Sequence, residues 1–243
     1  MTVPSTGLTD LVIVVTGATG PAGTAAVSAL HAAGATVVAV GHSPDRLAAL
    51  AGRWPGVHVE SVDLADAAAV GEFAARTRQR HGRVDGLIHL VGGYRGGEAF
   101  AGNTDDDWQF LSTSLIDTLR HTTLALHDDL AGAPAGRVAI VSARAAAKPS
   151  AGSANYSAAK AAAEAWMLAL ADSFRHTAGR SDDGPAAVIF VIKALVTDRM
   201  RADAPGRRFP GFTDVADLAD RVVELWSADS ADINGARIAL DGA

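Results

Sequence analysis

The chain has 243 residues, a formal net charge of −6, and hydrophobic residues at 49% of its positions. That apolar fraction excludes general disorder, and the length suits one α/β domain with a large core. The acidic balance argues against unspecific binding to nucleic acid or to a membrane surface.

There is no cysteine, so neither a disulfide framework nor a thiolate nucleophile is available, and a reducing cytoplasm is the expected location. The opening MTVPSTGLTD carries no basic region, and the apolar run Leu11 to Val15 is five residues long. Neither a signal peptide nor a membrane span is expected.

In chain order, strands are predicted near 11–16, 35–41, 57–62, 84–91, 136–142, 186–192 and 236–240. Helices are predicted near 22–33, 44–53, 66–80, 104–131, 154–178 and 214–228. The strands are almost continuously apolar, which suggests a sheet covered on both faces. Their alternation with helices suggests right-handed βαβ units and a parallel sheet. No linker or internal repeat divides the chain, so residues 1–243 read as a single domain. Two connections stand out: the polar stretch 177–185, and the segment 193–212, whose length suggests a substrate lid.

The first strand runs into "TGATGPAG", which sets Gly17, Gly20 and Gly23 between a strand and a helix. A dinucleotide site needs small residues there. One glycine makes the tight turn, one lets the backbone approach the diphosphate, and one lets helix and strand pack closely. The helix N-terminus then offers free N–H groups to the phosphates. Thr19 lies within the same turn. Asp63, after the third strand, is a candidate acceptor for an adenine amino group, although Asp66 competes with it as a helix cap. A carboxylate at the tip of the second strand would bind the ribose of NAD. Here the residues are Gly41 and His42, with Ser43 and Arg46 following. Without that carboxylate a 2′-phosphate is not repelled, and His42, Ser43 and Arg46 can hold one, so NADP(H) is favoured over NAD(H).

Tyr156 and Lys160 stand four apart on a predicted helix and share one face. An ammonium near a phenol is expected to lower its pKa from about 10. A tyrosine so tuned can donate a proton to an atom that has just gained hydride, or remove one in reverse. The lysine can also hydrogen-bond a ribose diol.

"TGATGPAG", "YSAAK" and the closing "INGARIALDGA" resemble the short-chain dehydrogenase/reductase family over essentially the whole chain. The resemblance implies a doubly wound Rossmann fold whose seven-stranded parallel sheet has the order 3-2-1-4-5-6-7. It also implies Tyr156 as proton donor and Lys160 as ribose anchor, with Gly92 and Thr197 beside the cofactor and a homodimer or homotetramer as the assembly.

The departures from the family pattern narrow the chemistry. The family's usual serine, thirteen residues before the tyrosine, is Ala143 here, and Ser142 is one place early. Neighbouring strand residues point to opposite faces, so Ser142 reaches the site only if the strand bulges. Ser114 stands where many members have an asparagine. "HLVGG" replaces the usual "NNAG", Lys193–Ala194 replaces a Pro-Gly pair, and Thr197 and Asp198 compete for the threonine place. "LVGGYRGG", together with Ala143, is similar to the dihydropteridine reductases of the family. An electron-poor ring needs less help from a polarising hydroxyl, so the expected acceptor is pterin- or quinone-like, with Tyr94 as a stacking surface.

Two other readings remain open: an ordinary ketone/alcohol oxidoreductase using Ser142, and a redox sensor that binds cofactor with little turnover. The eight histidines show no metal-ligand spacing, so no metal is expected. The basic stretch 77–83 suits a helix C-terminus, and neither nucleic acid nor membrane is an expected partner.

Overall fold

The computed structural model describes residues 7–177 and 184–240. The first half alternates strictly. β1 (Val12–Thr16) leads to α1 (Pro21–Ala32), β2 (Thr36–Gly41) to α2 (Pro44–Arg53), and β3 (His58–Ser61) to α3 (Ala67–His81). β4 (Gly86–His89) is followed by α4 (Asp105–Ser112) and α5 (Thr118–Gly132), then β5 (Arg137–Ala143), α6 (Ala154–Thr177) and β6 (Ala186–Ile192). A short pair, β7 (Leu195–Val196) and β8 (Thr213–Asp214), brackets α7 (Asp198–Asp203). The described part closes with α8 (Val215–Glu224), α9 (Ser230–Ile233) and β9 (Arg237–Ala239).

The main sheet has seven strands in the order β3-β2-β1-β4-β5-β6-β9, every pair parallel. This is the predicted order, with β9 as the seventh predicted strand. The side chains alternate between two buried clusters. Val12, Val14, Val38, Leu87, Val138 and Ile189 pack against α3, α5 and α6. Ile13, Val15, Val37, Ile88, Ala139 and Phe190 pack on the other face with residues of α1 and α8. Burial of both faces explains why the strands are apolar throughout.

Three expectations change. The helix predicted over 104–131 is interrupted by a π-helical turn, Thr113–Asp117. There the Ser114 hydroxyl donates to the Phe110 carbonyl at 2.7 Å, and the Thr118 hydroxyl donates to the Ser114 carbonyl at 2.9 Å. Side chains that compete for helix carbonyls favour such a local change of pitch. The segment 193–212 is not one open loop, since β7 and α7 lie within it. The predicted 214–228 helix ends at Glu224, and the short α9 follows it. The polar connection at 177–185 falls largely outside the described residues.

Candidate active site

The turn after β1 is built by sterics. Gly17 has φ +70°, and a Cβ on it would lie 2.6 Å from the Leu90 carbonyl oxygen. A Cβ on Gly23 would lie 2.2 Å from the Gly17 oxygen. Gly20, by contrast, is constrained only by the Gly17 oxygen at 3.3 Å and borders open space. No side chain caps α1 and no acid lies in its first turn, so its leading N–H groups are left for an anion.

From this turn a cleft of about 800 Å³ runs along the C-terminal ends of the central strands. Gly17, Thr19, Gly20, His42, Arg46, Asp63, Gly92 and Ser114 all line it, which is where eight of the sequence-predicted site residues meet. The cleft lies where the strand order reverses, between β1 and β4, the usual ligand position of an open α/β sheet. An uncapped helix start, a glycine cradle and a cleft of this volume fit a dinucleotide. Gly17, Thr19 and Gly20 would hold the diphosphate, and such a cofactor supplies or takes hydride when bound.

The individual partners refine this picture. The Arg46 guanidinium donates to the Thr19 carbonyl at 2.5 Å, which fixes it over the glycine turn. Ser43 is the N-cap of α2. Asp66 takes the cap of α3, leaving Asp63 exposed at the cleft with one carboxylate oxygen on the Ala65 N–H. Gly92 is packed so that a Cβ would meet Leu115 at 2.7 Å. Thr197 lies outside the cleft lining and its hydroxyl caps α7 by accepting from the Met200 N–H at 3.1 Å.

Tyr156 and Lys160 lie on one face of α6 as predicted, with the Lys160 nitrogen 5.9 Å from the centre of the tyrosine ring. They do not line the cleft. Tyr156 packs with Leu111, Leu115 and Ala159, and the exposed Tyr94 ring meets it edge-on at 5.0 Å. Lys160 is buried and donates to the Val141 carbonyl at 2.6 Å. The expectation of a lowered tyrosine pKa is reversed. Burial, and then the neighbouring Tyr94, push the Tyr156 phenol up to about 12. Burial brings Lys160 down to about 8, with Glu164 opposing that fall. A lysine held on a carbonyl and weakened in its own charge does not offset the desolvation of the phenol.

Ser142 does not join this arrangement. β5 pairs with β6 in unbroken register from Arg137 to Ala143, with no bulge. Ser142 is therefore on the same strand face as Val138 and Ile140, toward α6. It is fully buried, and its hydroxyl donates to the Glu164 carboxylate at 2.5 Å.

Sequence reading passed over two residues beside Lys160. Glu164 is a carboxylate one turn further along an alanine-rich helix, a signal legible in retrospect. His89 ends β4, where the family pattern has asparagine. Thr118 gives its hydroxyl hydrogen to Ser114, so it accepts from His89 Nε2 at 3.2 Å. His89 Nδ1 then accepts from the Thr16 hydroxyl at 2.8 Å. Burial and then Lys160 push this histidine down to about 3, so it is neutral.

Residues 11–178 match the family model described as short chain dehydrogenase. The chain belongs to that family. It is 28% identical over 165 residues to the 2,3-dihydro-2,3-dihydroxybenzoate dehydrogenase of Bacillus subtilis (strain 168). That match covers 65% of this chain and 61% of the relative's length. A short chain dehydrogenase from Burkholderia cenocepacia J2315, solved in complex with NADP, superposes with a TM-score of 0.80 at 24% identity, covering 97% of this chain and 98% of that one. A short-chain type dehydrogenase/reductase from Mycobacterium ulcerans superposes with a TM-score of 0.84 at 20% identity, over 97% and 90% of the two chains. At these identities the two superpositions bear on the fold.

Proposed function

We propose that this chain is an NAD(P)-dependent oxidoreductase that uses NADPH to reduce a conjugated carbonyl- or imine-like ring, pterin- or quinone-like, with Tyr156 as the proton donor. The observation that carries the reading lies at the end of β5. Ser142 is bound to Glu164, and Ala143 occupies the following position without a hydroxyl. Tyr156 must then polarise the acceptor unaided by a serine, and an acceptor that gains conjugation on reduction needs that help least. The Bacillus relative's name also specifies a six-membered ring substrate.

In this reading hydride adds to the electron-poor atom, and the oxygen or nitrogen conjugated with it takes the Tyr156 proton. A phenol held at about 12 keeps that proton at neutral pH, so the donor is in its protonated form before hydride arrives. The phenolate left behind faces the Lys160 ammonium one turn away. Tyr94, 65% exposed against Tyr156, supplies a flat surface for the ring. Gly92 and Ser114 border the nicotinamide end of the cleft. The 193–212 lid closes over it and carries Thr197, whose oxygen caps α7 and whose hydroxyl hydrogen is left to donate, toward the cofactor. The preference for NADPH rests on His42, just after the tip of β2, and Arg46, in the first turn of α2, with no carboxylate at that tip.

The assembly in this reading is a homodimer or homotetramer, and the location is the cytoplasm. Among the described residues no helix is long and apolar enough to cross a membrane.

Turnover of simple ketones, quinones and quinonoid dihydropterins by the parent, Tyr156→Phe and Ser142→Ala proteins tests the reading. The parent reduces the conjugated rings, Tyr156→Phe loses at least about a hundredfold in kcat, and the Ser142→Ala protein keeps the parent's order of substrate preference. Efficient reduction of ketones with the rings ignored overturns the substrate class. Loss of ketone reduction on Ser142→Ala alone restores the serine-dependent alternative.

A further inference from the structure

Behind the catalytic pair lies a second charged group that the reaction as described does not use. Glu164 is 9% exposed, one helical turn beyond Lys160 on α6. One carboxylate oxygen accepts the Ser142 hydroxyl at 2.5 Å. The Arg237 guanidinium grips both oxygens, at 2.8 Å and 3.2 Å, from the edge strand β9. A buried carboxylate survives only where it is paired and hydrogen-bonded, and this one has three donors from two strands that are not adjacent in sequence.

We infer that Glu164 acts on Lys160 through its charge: its carboxylate, one turn away on the same helix face and clamped by Ser142 and Arg237, favours the charged form of the buried ammonium, and so couples β9 to the proton-transfer site. This assigns Ser142 an indirect role, as a donor to Glu164, in place of contact with substrate.

The surroundings of Lys160 leave little else to do this. On its own helix it faces Tyr156 and Glu164. From β5 it meets the Val141 carbonyl, and from β4 it feels His89. Tyr156, raised by burial, and His89, lowered by burial, are both uncharged near pH 8. Arg237 acts through Glu164. Arg144, on the turn after β5 that packs against α6, and Arg120, stacked over Trp166, stay unchanged in every variant below and cancel from the comparison. The negative charge of Glu164 favours the charged lysine, and the positive charge of Arg237 partly offsets it. Removing one or the other must therefore move the lysine in opposite directions.

The chain has three lysines, Lys148, Lys160 and Lys193, so the titration of Lys160 can be followed directly by NMR after labelling lysine with ¹³C at Cε. In the full-length protein without cofactor, Glu164→Gln lowers the Lys160 pKa by about one pH unit, and Arg237→Gln raises it. A general loosening of the packing would instead admit water and raise it in both. No shift in Glu164→Gln, or shifts of the same sign in the two variants, overturns the inference. Should Glu164→Gln not fold, Arg237→Gln set against Arg237→Lys carries the test. Only the glutamine raises the pKa, and equal shifts in both variants defeat the inference.

The catalytic consequence rests on Tyr156 and Lys160 acting together as proposed above. With a reducible acceptor, the alkaline limb of kcat moves to lower pH in Glu164→Gln and to higher pH in Arg237→Gln, because activity that needs the charged lysine is lost as pH rises through its pKa. A failure to find any acceptor would remove the proposed function and leave the lysine titration intact as a measure of the clamp.

Discussion

Arg46 shows how much of the site one side chain can decide. Its guanidinium lies over the glycine turn on the Thr19 carbonyl, and both residues line the cleft proposed to take the dinucleotide. A 2′-phosphate there would add charge-assisted hydrogen bonds that a bare hydroxyl does not offer. Arg46→Ala is expected to weaken NADPH binding by about tenfold and leave NADH nearly unchanged. Titrating both cofactors by fluorescence checks this, and equal losses for the two would show that Arg46 does not read the phosphate. Gly17 and Gly23 sit at the same scale but act by exclusion, since any side chain would strike a backbone atom. That kind of constraint is written in the sequence as glycine, and it was legible there.

At the level of elements, the junction of β4 with the broken helix carries a dependence on pH. His89 links Thr16 on β1 to Thr118 at the start of α5, and it does so as a neutral ring. Its pKa is about 3 in the folded protein, against about 6.5 when unfolded. Between those values the unfolded chain binds more protons, so stability rises with pH. The contribution is fully present above about 6.5 and is lost as pH falls toward 3, by up to about 1.4 kcal/mol per pH unit. His89→Asn removes the titrating group and is expected to flatten this acid limb. Urea melts at pH 7 and pH 4.5 decide it, and an acid loss as large as the parent's would place the dependence elsewhere. The π-helical turn beside it was not legible, because a run of serine and threonine in a helix does not say which carbonyls the hydroxyls will take. Ser142 repeats the lesson on a strand. The sequence left two orientations open, and the unbroken β5–β6 register chose between them.

On the scale of the whole molecule, the two-faced sheet uses its helices to bury both sides, and α5 and α6 keep a further apolar groove. Leu124, 59% exposed, lines it with Trp166 and Leu170. The proposal of an oligomer places two copies face to face at this groove. Leu124→Glu is expected to shift the mass measured by light scattering toward the monomer, with the melting temperature of the subunit little changed. A parent protein that is already monomeric at micromolar concentration would remove that part of the proposal.

The amino-acid sequence by itself determined the seven strands of the main sheet, the alternation of strand and helix, the glycine turn and the spacing of Tyr156 from Lys160. Each of these is set by local periodicity and by the steric demands of single residues. Only the tertiary structure decided that Ser142 belongs to Glu164, that the tyrosine pKa goes up, that His89 lies near Lys160, and that Arg237 binds Glu164. Those outcomes depend on which groups are buried together, and burial is a property of the packed sheet and helices that no short stretch of chain contains.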